Sequence, residues 1–486
     1  MNYWLVRAKW DGIHDKTTQF IQNDEWINGY DNKYLDTVNR VQEGDVLLLA
    51  DNSLINYYGI CVANENDGKH LLLDNWKKFK EPIIFPAKGA YIKTIVKVND
   101  SELEEKSKFS IEELKAIESI VIKSIYLSNF TLFKEQNLHF SSGINIIIGE
   151  NGTGKTQLLK LLYSLIQSNN FGFNKKIFIK FAIDEKLKSI LKPEYITNLI
   201  TKGENKSLIT LDLDKYKINY SLTTENLNSA HTMKKYYYKK NLFLPAKEML
   251  SFYTGFRSIY NQTSFDEIFD NLANHLGRLV PKNRVLEKFE EHILQELEEV
   301  LDGKIILEND RFYLLERDRN KREITLVAEG ARKLGTIFHL LANGTIEKGS
   351  VLFWDEPESN LNPKFIRYVA KMLLSLEQAG IQIFIATHSL FLIKEIEILR
   401  KKEHKIKYFS FGFDENSNLR VSQNIEFDYL EDLVILDEEL DQDDRLSNIQ
   451  TKLRDRLKSI TSKSNIKVVS KANLQNLPWS VTIATS

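Results

Sequence analysis

An α/β fold preceded by a small α+β module is what this 486-residue sequence predicts, and three features predict it. Runs of Ile, Val, Leu and Phe at 144–148, 351–354 and 381–386 read as buried strands. Each run ends in a loop rich in Gly, acid or hydroxyl residues and is followed by apolar residues at helical spacing. Residues 1–98 differ, alternating short strand-like runs with turn residues.

Within the module, residues 3–7 form the first strand and 45–50 the second, after the turn pair Gly44-Asp45. Residues 57–63, 70–74 and 91–98 read as further strands, with short helices at 17–22 and 33–41. Residues 99–118 are charged and read as a connector. One α/β domain then spans 119–445, with an insertion of short helices and strands at about 169–325. A polar, mildly basic tail, 446–486, holds one helix at 446–460. No repeat and no sustained heptad pattern is visible, which argues against a long coiled-coil arm.

The formal net charge is −1, so no global basic field draws nucleic acid and any such contact needs a local patch. The single cysteine, Cys61, can form neither an internal disulfide nor a zinc cluster, which fits a reducing, cytoplasmic setting. The first twenty residues show no signal peptide, and no apolar run reaches the roughly 18 residues of a membrane-spanning helix, so no membrane partner is expected.

The strand-like run 144–148 leads into Gly149, Glu150, Asn151, Gly152, Thr153, Gly154, Lys155 and Thr156, and then into a helical run from Gln157. This fits G-x4-G-K-[ST] in its strand–loop–helix setting. Glycines let successive N–H groups curl around a phosphate oxygen, and the helix N-terminus adds partial positive charge. Lys155 would reach the β- and γ-phosphates of ATP, and the Thr156 hydroxyl would ligate Mg2+. A plain Gly-rich turn is the bland alternative, and the flanking strand and helix argue against it.

Asp355-Glu356 ends the run 351–354. Two carboxylates at a strand's C-terminal end suit a nucleotide site: Asp355 for Mg2+, Glu356 to orient and deprotonate the attacking water. Pro363 marks a helix start, and the apolar stripe Phe365, Val369, Met372, Leu373, Leu376 is core. A lone His is more often structural, but His388 ends the strand 381–386 in Thr387-His388-Ser389, and that place suggests a γ-phosphate contact.

With these motifs the chain resembles the ABC-type P-loop ATPases of the chromosome-maintenance (SMC), break-repair and OLD group. Residues 149–156 look like the Walker A loop, Phe353 to Pro363 like Walker B running into a D-loop with Asn360 and Leu361, and 386–389 like the histidine switch. Residues 124–152 are similar to the family's opening hairpin, and 242–256 to a segment of its stand-alone defence ATPases. The resemblance implies a mixed-sheet head and a signature motif that caps the γ-phosphate of an opposite subunit, so a head-to-tail homodimer or higher oligomer. The best match is Leu326 to Lys333, with Ala328, Glu329 and Gly330 at the signature positions and Ala328 in place of the usual serine; a plain helix start is the alternative, and slow turnover is the expectation. No Q-loop glutamine can be placed, since Gln157 sits on the helix after the phosphate loop. Asn129, Phe130 and Phe133 stand near the adenine position and read equally well as core.

The module's sequences at 3–10, 26–30, 41–50 and 57–63 resemble EVE or PUA-like modules of modification-sensing restriction proteins, which implies a small α+β barrel that binds nucleic acid and encloses a flipped base between aromatics. Trp4, Arg7, Trp26 and Tyr30 are the candidate base pocket, with core packing as the alternative for each. The acidic run 429–444 reads as a solvated helix face, not as a nuclease metal cluster, and Arg454, Arg456, Lys458, Lys463 and Lys467 as a basic face. The functional expectation is an ATP-hydrolysing sensor in phage defence or DNA maintenance that controls a separate effector, such as a nuclease. The alternatives are a nucleotide-gated scaffold with negligible turnover and a detached transporter ATPase subunit.

Overall fold

The computed structural model describes residues 2–10, 14–42, 44–51, 53–73, 76–85, 94–98, 121–169, 176–214, 216–224, 241–260, 265–281, 284–431 and 433–463. The expected connector 99–118 lies outside them, as do Lys467 and the rest of the tail beyond 463. The chain divides into two compact units, Met1–Asp432 and Leu433–Ser486.

The first strands are β1 (Tyr3–Arg7), β2 (Lys9–Trp10), β3 (His14–Asp15), β4 (Glu25–Ile27), β5 (Val46–Asp51), β6 (Leu54–Asn64), β7 (His70–Leu73), β8 (Lys77–Ile84) and β9 (Ile95–Val98). Two short helices, α1 (Thr17–Asn23) and α2 (Leu35–Val38), stand where the sequence placed them. Seven strands make one sheet in the order β4-β7-β6-β5-β1-β9, with β8 on β6; β2 and β3 pair separately. Among the described residues this path is open at β4 and β9 rather than closed into a barrel. Successive side chains point to opposite faces, so Tyr3 and Leu5 enter one apolar cluster while Trp4 and Val6 enter the other.

The head begins with the hairpin β10 (Ile122–Phe130) and β11 (Phe133–His139). Then come β12 (Ile144–Gly149), α3 (Lys155–Asn169), α4 (Lys176–Leu191), β13 (Lys206–Leu213), β14 (Tyr216–Thr223) and β15 (Asn241–Leu244). Helices α5 (Tyr253–Tyr260), α6 (Glu267–Leu276) and α7 (Lys288–Leu301) precede β16 (Gly303–Glu308), β17 (Arg311–Glu316), β18 (Lys321–Glu323) and α8 (Glu329–Ala342). The unit closes with β19 (Val351–Asp355), α9 (Pro363–Gln378), β20 (Gln382–Thr387), α10 (Leu390–Leu399), β21 (Ile406–Phe413) and β22 (Leu419–Asn424).

The central sheet runs β15-β19-β20-β12-β21-β22. Its first five strands are mutually parallel and β22 is antiparallel. Parallel strands buried on both faces explain the unbroken apolar runs: Ile146, Ile147 and Ile148 are fully buried, as are Val351 and Phe353. A second, antiparallel sheet, β11-β10-β13-β14, supplies Ile125, Leu127 and Leu211 to the same core. The sheet sets the site: Ile148 pairs with Thr387, Asp355 with Ala386 and Leu244 with Trp354. The carboxyl ends of β12, β15, β19 and β20 therefore open on one edge, where ligands bind in open α/β sheets.

The second unit contains α11 (Val434–Lys463), whose described side chains from Glu439 onward are almost all exposed. It begins well before the expected 446–460 helix and runs unbroken through Arg445, where the sequence placed the start of the tail. Arg445 bridges Asp441 one turn back at 2.7 Å, and the part of the acidic run from Val434 onward is helical.

Candidate nucleotide site

Gly149 ends β12 and the loop turns through left-handed glycines, with φ of 84° at Gly152 and 89° at Gly154. Thr153 is buried and its hydroxyl donates to the Glu150 carbonyl at 2.8 Å, bracing the loop. The Lys155 ammonium donates to the carbonyls of Gly149 and Glu150, each at 2.6 Å, so it lies across the loop mouth. Burial pulls its pKa down, while Asp355, Glu356, Glu358 and Glu150 oppose that shift. Asn151 and Gly152 are exposed at the loop tip, and Phe133 is buried against Gly154. Phe130 is likewise core, and the Asn129 amide donates to Glu204 at 3.2 Å. Gln157 lies on α3, and its buried Oε1 has no partner among the described residues.

A Cβ on Gly149 would stand 2.1 Å from the Phe411 carbonyl oxygen on β21. Gly149→Ala must therefore push β12 and β21 apart, an overpacking cost of about 1–3 kcal/mol or more. The expected result is a clearly lowered unfolding midpoint in a denaturant titration; an unchanged midpoint contradicts the packing described.

Across the sheet edge, the Thr156 hydroxyl donates to Asp355 Oδ1 at 2.9 Å and approaches Oδ2 at 3.1 Å. Burial raises the Asp355 pKa, opposed by that hydrogen bond and by Lys160 and Lys155, with neighbouring Glu356 adding to the rise. The hydroxyl and the carboxylate form an oxygen-only donor set at the mouth of the phosphate loop, which fits Mg2+. Glu356 takes a left-handed φ of 46°, and its N–H donates to Ala386 at 2.8 Å. This turn brings Glu356 Oε1 to 3.5 Å from His388 Nδ1.

Sequence reasoning missed Glu358. It is buried, accepts from the Thr387 hydroxyl at 2.6 Å and from the His388 N–H at 3.4 Å, and lies 3.9 Å from His388 Nδ1. Its Oε2 is buried without a partner among the described residues. The Ser389 hydroxyl caps α10 through Leu392 N–H at 3.2 Å, fixing the turn that presents His388.

Ala328 is the N-cap of α8, offering no side-chain cap, and Ala328 and Glu329 are exposed. Glu329 accepts from the Asn360 amide at 2.8 Å. A Cβ on Gly330 would lie 3.0 Å from the Asn360 carbonyl and 3.1 Å from Leu361 Cδ2, so the glycine is what lets the 360–361 loop sit on α8. One turn on, Arg332 donates to buried Glu248 at 2.8 Å. Lys333 is buried too, and desolvation lowers its pKa to about 8, against the raising influence of Glu358, Glu356, Asp355 and Glu329. Glu248 and Lys333 fall inside the two resembling segments, 242–256 and the signature match, but neither had a role of its own legible in the sequence.

The family described as "AAA domain, putative AbiEii toxin, Type IV TA system" matches residues 144–394, just over half of the chain. The chain belongs to that family. The family match runs from β12 into α10 and so contains the phosphate loop, Ala328 to Gly330, the Asp355-Glu356 pair and His388. It does not include the N-terminal sheet. Beyond the family, the chain is similar to the DNA replication and repair protein RecF of Clostridioides difficile, at 24% identity over 52% of this chain and 65% of that protein. It is similar to an ATP/GTP phosphatase of Helicobacter pylori, at 22% identity over 61% of this chain and 93% of that protein. The chain thus spans just under two thirds of the RecF relative. Among solved structures, the SMC head domain from Thermotoga maritima aligns with 63% of this chain and 99% of that one, at 13% identity and a TM-score of 0.38.

Outside the family match, the expected base pocket is corrected in part. Trp4 and Trp26 are core: Trp26 is fully buried, and their indole N–H groups donate to Asp45 at 2.8 Å and to the Arg7 carbonyl at 3.0 Å. Both sit in one apolar cluster, so neither ring face is open to a base. Tyr30 and Arg7 are half-buried; Tyr30 packs edge-on to Tyr34 at 5.8 Å, and Lys33 lies 5.4 Å from its ring centre. Among the described residues no helix is long and apolar enough to cross a membrane.

Proposed function

We propose that this chain is an ATP hydrolase whose reaction takes place where β12, β19 and β20 end together. The observation that carries the reading is the contact of the Thr156 hydroxyl with Asp355 at 2.9 Å, which sets the phosphate loop against the acidic pair. Loop amides 151–156 and the Lys155 ammonium would hold the triphosphate. Thr156 and Asp355 would hold Mg2+, which neutralises charge on the phosphate oxygens when bound. Glu356 would take the proton of the attacking water, and His388, 3.5 Å away, would orient the γ-phosphate and steady that carboxylate. The relatives named for RecF and for an ATP/GTP phosphatase support the same reading.

Exposed Ala328 and Glu329 at the start of α8 support a head-to-tail dimer, in which this helix start, with buried Gly330 packing it on the 360–361 loop, faces the nucleotide of the other copy. Leu326, 73% exposed just before them, fits burial in such an interface. Ala328 brings no hydroxyl, which favours slow turnover and, in the limit, a nucleotide-gated scaffold. The N-terminal module, EVE/PUA-like by its sequence, would sense nucleic acid through Arg7 and Tyr30. ATP-driven pairing of heads would then gate a separate effector, in phage defence or DNA maintenance. The lone buried Cys61 fits a cytoplasmic setting. Sedimentation with Mg2+-ATP tests the pairing: wild-type protein should shift to dimer or larger with ATP and revert with ADP. A species that ignores nucleotide contradicts the dimer reading.

A further inference from the structure

Three segments of the head meet at the buried ammonium of Lys333. From the second turn of α8 it donates to the Glu356 carbonyl at 2.6 Å and the Ser359 hydroxyl at 2.5 Å. The Ala246 and Ser359 carbonyls lie at 3.3 Å each. An ammonium has three protons, so four acceptors saturate it. Ser359 closes the knot: its N–H and hydroxyl donate to the Glu356 carbonyl at 3.1 and 3.0 Å, and the hydroxyl also reaches Ala246 at 3.1 Å. Lys333 is the charged donor in this cluster, and Glu358, Glu356, Asp355 and Glu329 act on it electrostatically.

The turn it holds is a costly one. Glu356 at φ 46° and Asn360 at φ 61° are both left-handed without being glycine. Two acidic side chains, Glu356 and Glu358, crowd the same turn, and a buried cation beside them offsets their repulsion. Without that cation, relaxation of the turn carries the Glu356 carboxylate away from His388. We propose that Lys333 is the positioning residue for Glu356: it locks the turn 356–359 so that the carboxylate faces the site, and ties it to the helix that begins at Ala328–Gly330. A head paired through that helix start thereby acts on the geometry of its own general base. This rests on the reading of Glu356 as that base.

The test is a double-mutant cycle on the full chain, read by single-turnover ATP hydrolysis and by equilibrium titration with a fluorescent ATP analogue. Lys333→Met should lower the rate about 100-fold, the scale of losing a general base, with analogue affinity within about threefold of wild type, because Lys333 touches no phosphate-loop residue. Placed on Glu356→Gln, it should cause almost no further loss, since it acts through that carboxylate. Ser359→Ala keeps the ammonium and removes its shortest contact, so it serves if Lys333→Met does not fold; it should give the same non-additive cycle with a loss of about tenfold or less. Equal losses in both backgrounds, or an unchanged rate in the wild-type background, overturn the proposal. A wild-type protein that does not hydrolyse ATP, or a Glu356→Gln protein at full rate, overturns the underlying reading instead.

Discussion

Glu356→Gln should cut ATP turnover by about 10²- to 10⁴-fold while leaving nucleotide affinity nearly unchanged. The substitution keeps size and backbone, and removes the negative charge and with it the ability to take a proton. The left-handed turn is therefore retained, as is the N–H bond from residue 356 to Ala386 at 2.8 Å. Thr156, Asp355 and Lys155 are untouched, so the triphosphate still binds. ATP-bound protein should accumulate, and with it the paired heads. Phosphate release and analogue titration together read the outcome. Turnover above a tenth of wild type would show that another group activates the water.

Lys155→Ala should act earlier, on binding. A hydrogen bond to a charged group is worth about 1.5–3 kcal/mol, so affinity for ATP should fall roughly 10- to 150-fold, and hydrolysis at limiting ATP should fall further still. The mutation also removes one of the cations that face Asp355, Glu356 and Glu358, and the one that faces Glu150. Their mutual repulsion then adds to that of the incoming phosphates. The measurement is equilibrium titration with and without Mg2+. If Lys155→Ala binds ATP as wild type does, the loop 149–156 is not the phosphate site.

The contrast between what was and was not legible follows from how local each signal is. The phosphate loop could be read because its glycines, lysine and threonine are consecutive and their chemistry is contained in eight residues. Asp355 and Glu356 could be read because two adjacent acids at the end of a buried strand repel each other unless a cation faces them. The roles of Glu248 and Lys333 could not, although both fall in segments that resemble the family, because those roles depend on β15 lying beside β19, and no residue announces sheet order. Glu358 was visible as the third acid of Asp355-Glu356-Pro357-Glu358, but its bond to Thr387 needs β19 and β20 to be neighbours. Trp4 and Trp26 stayed open because an indole serves a base pocket and a small core equally well; their burial and their acceptors, Asp45 and the Arg7 carbonyl, place them in the core. β8 was overlooked because its first residues, Lys77-Lys78-Phe79-Lys80, carry charge where a strand signal is sought.

The pocket's purpose is tested most directly by one measurement: inorganic phosphate released by purified protein at saturating ATP, started by adding Mg2+. The account predicts steady, slow release that depends on Mg2+ and disappears in Glu356→Gln. No release from protein that binds ATP, or release that survives in that variant, would contradict it.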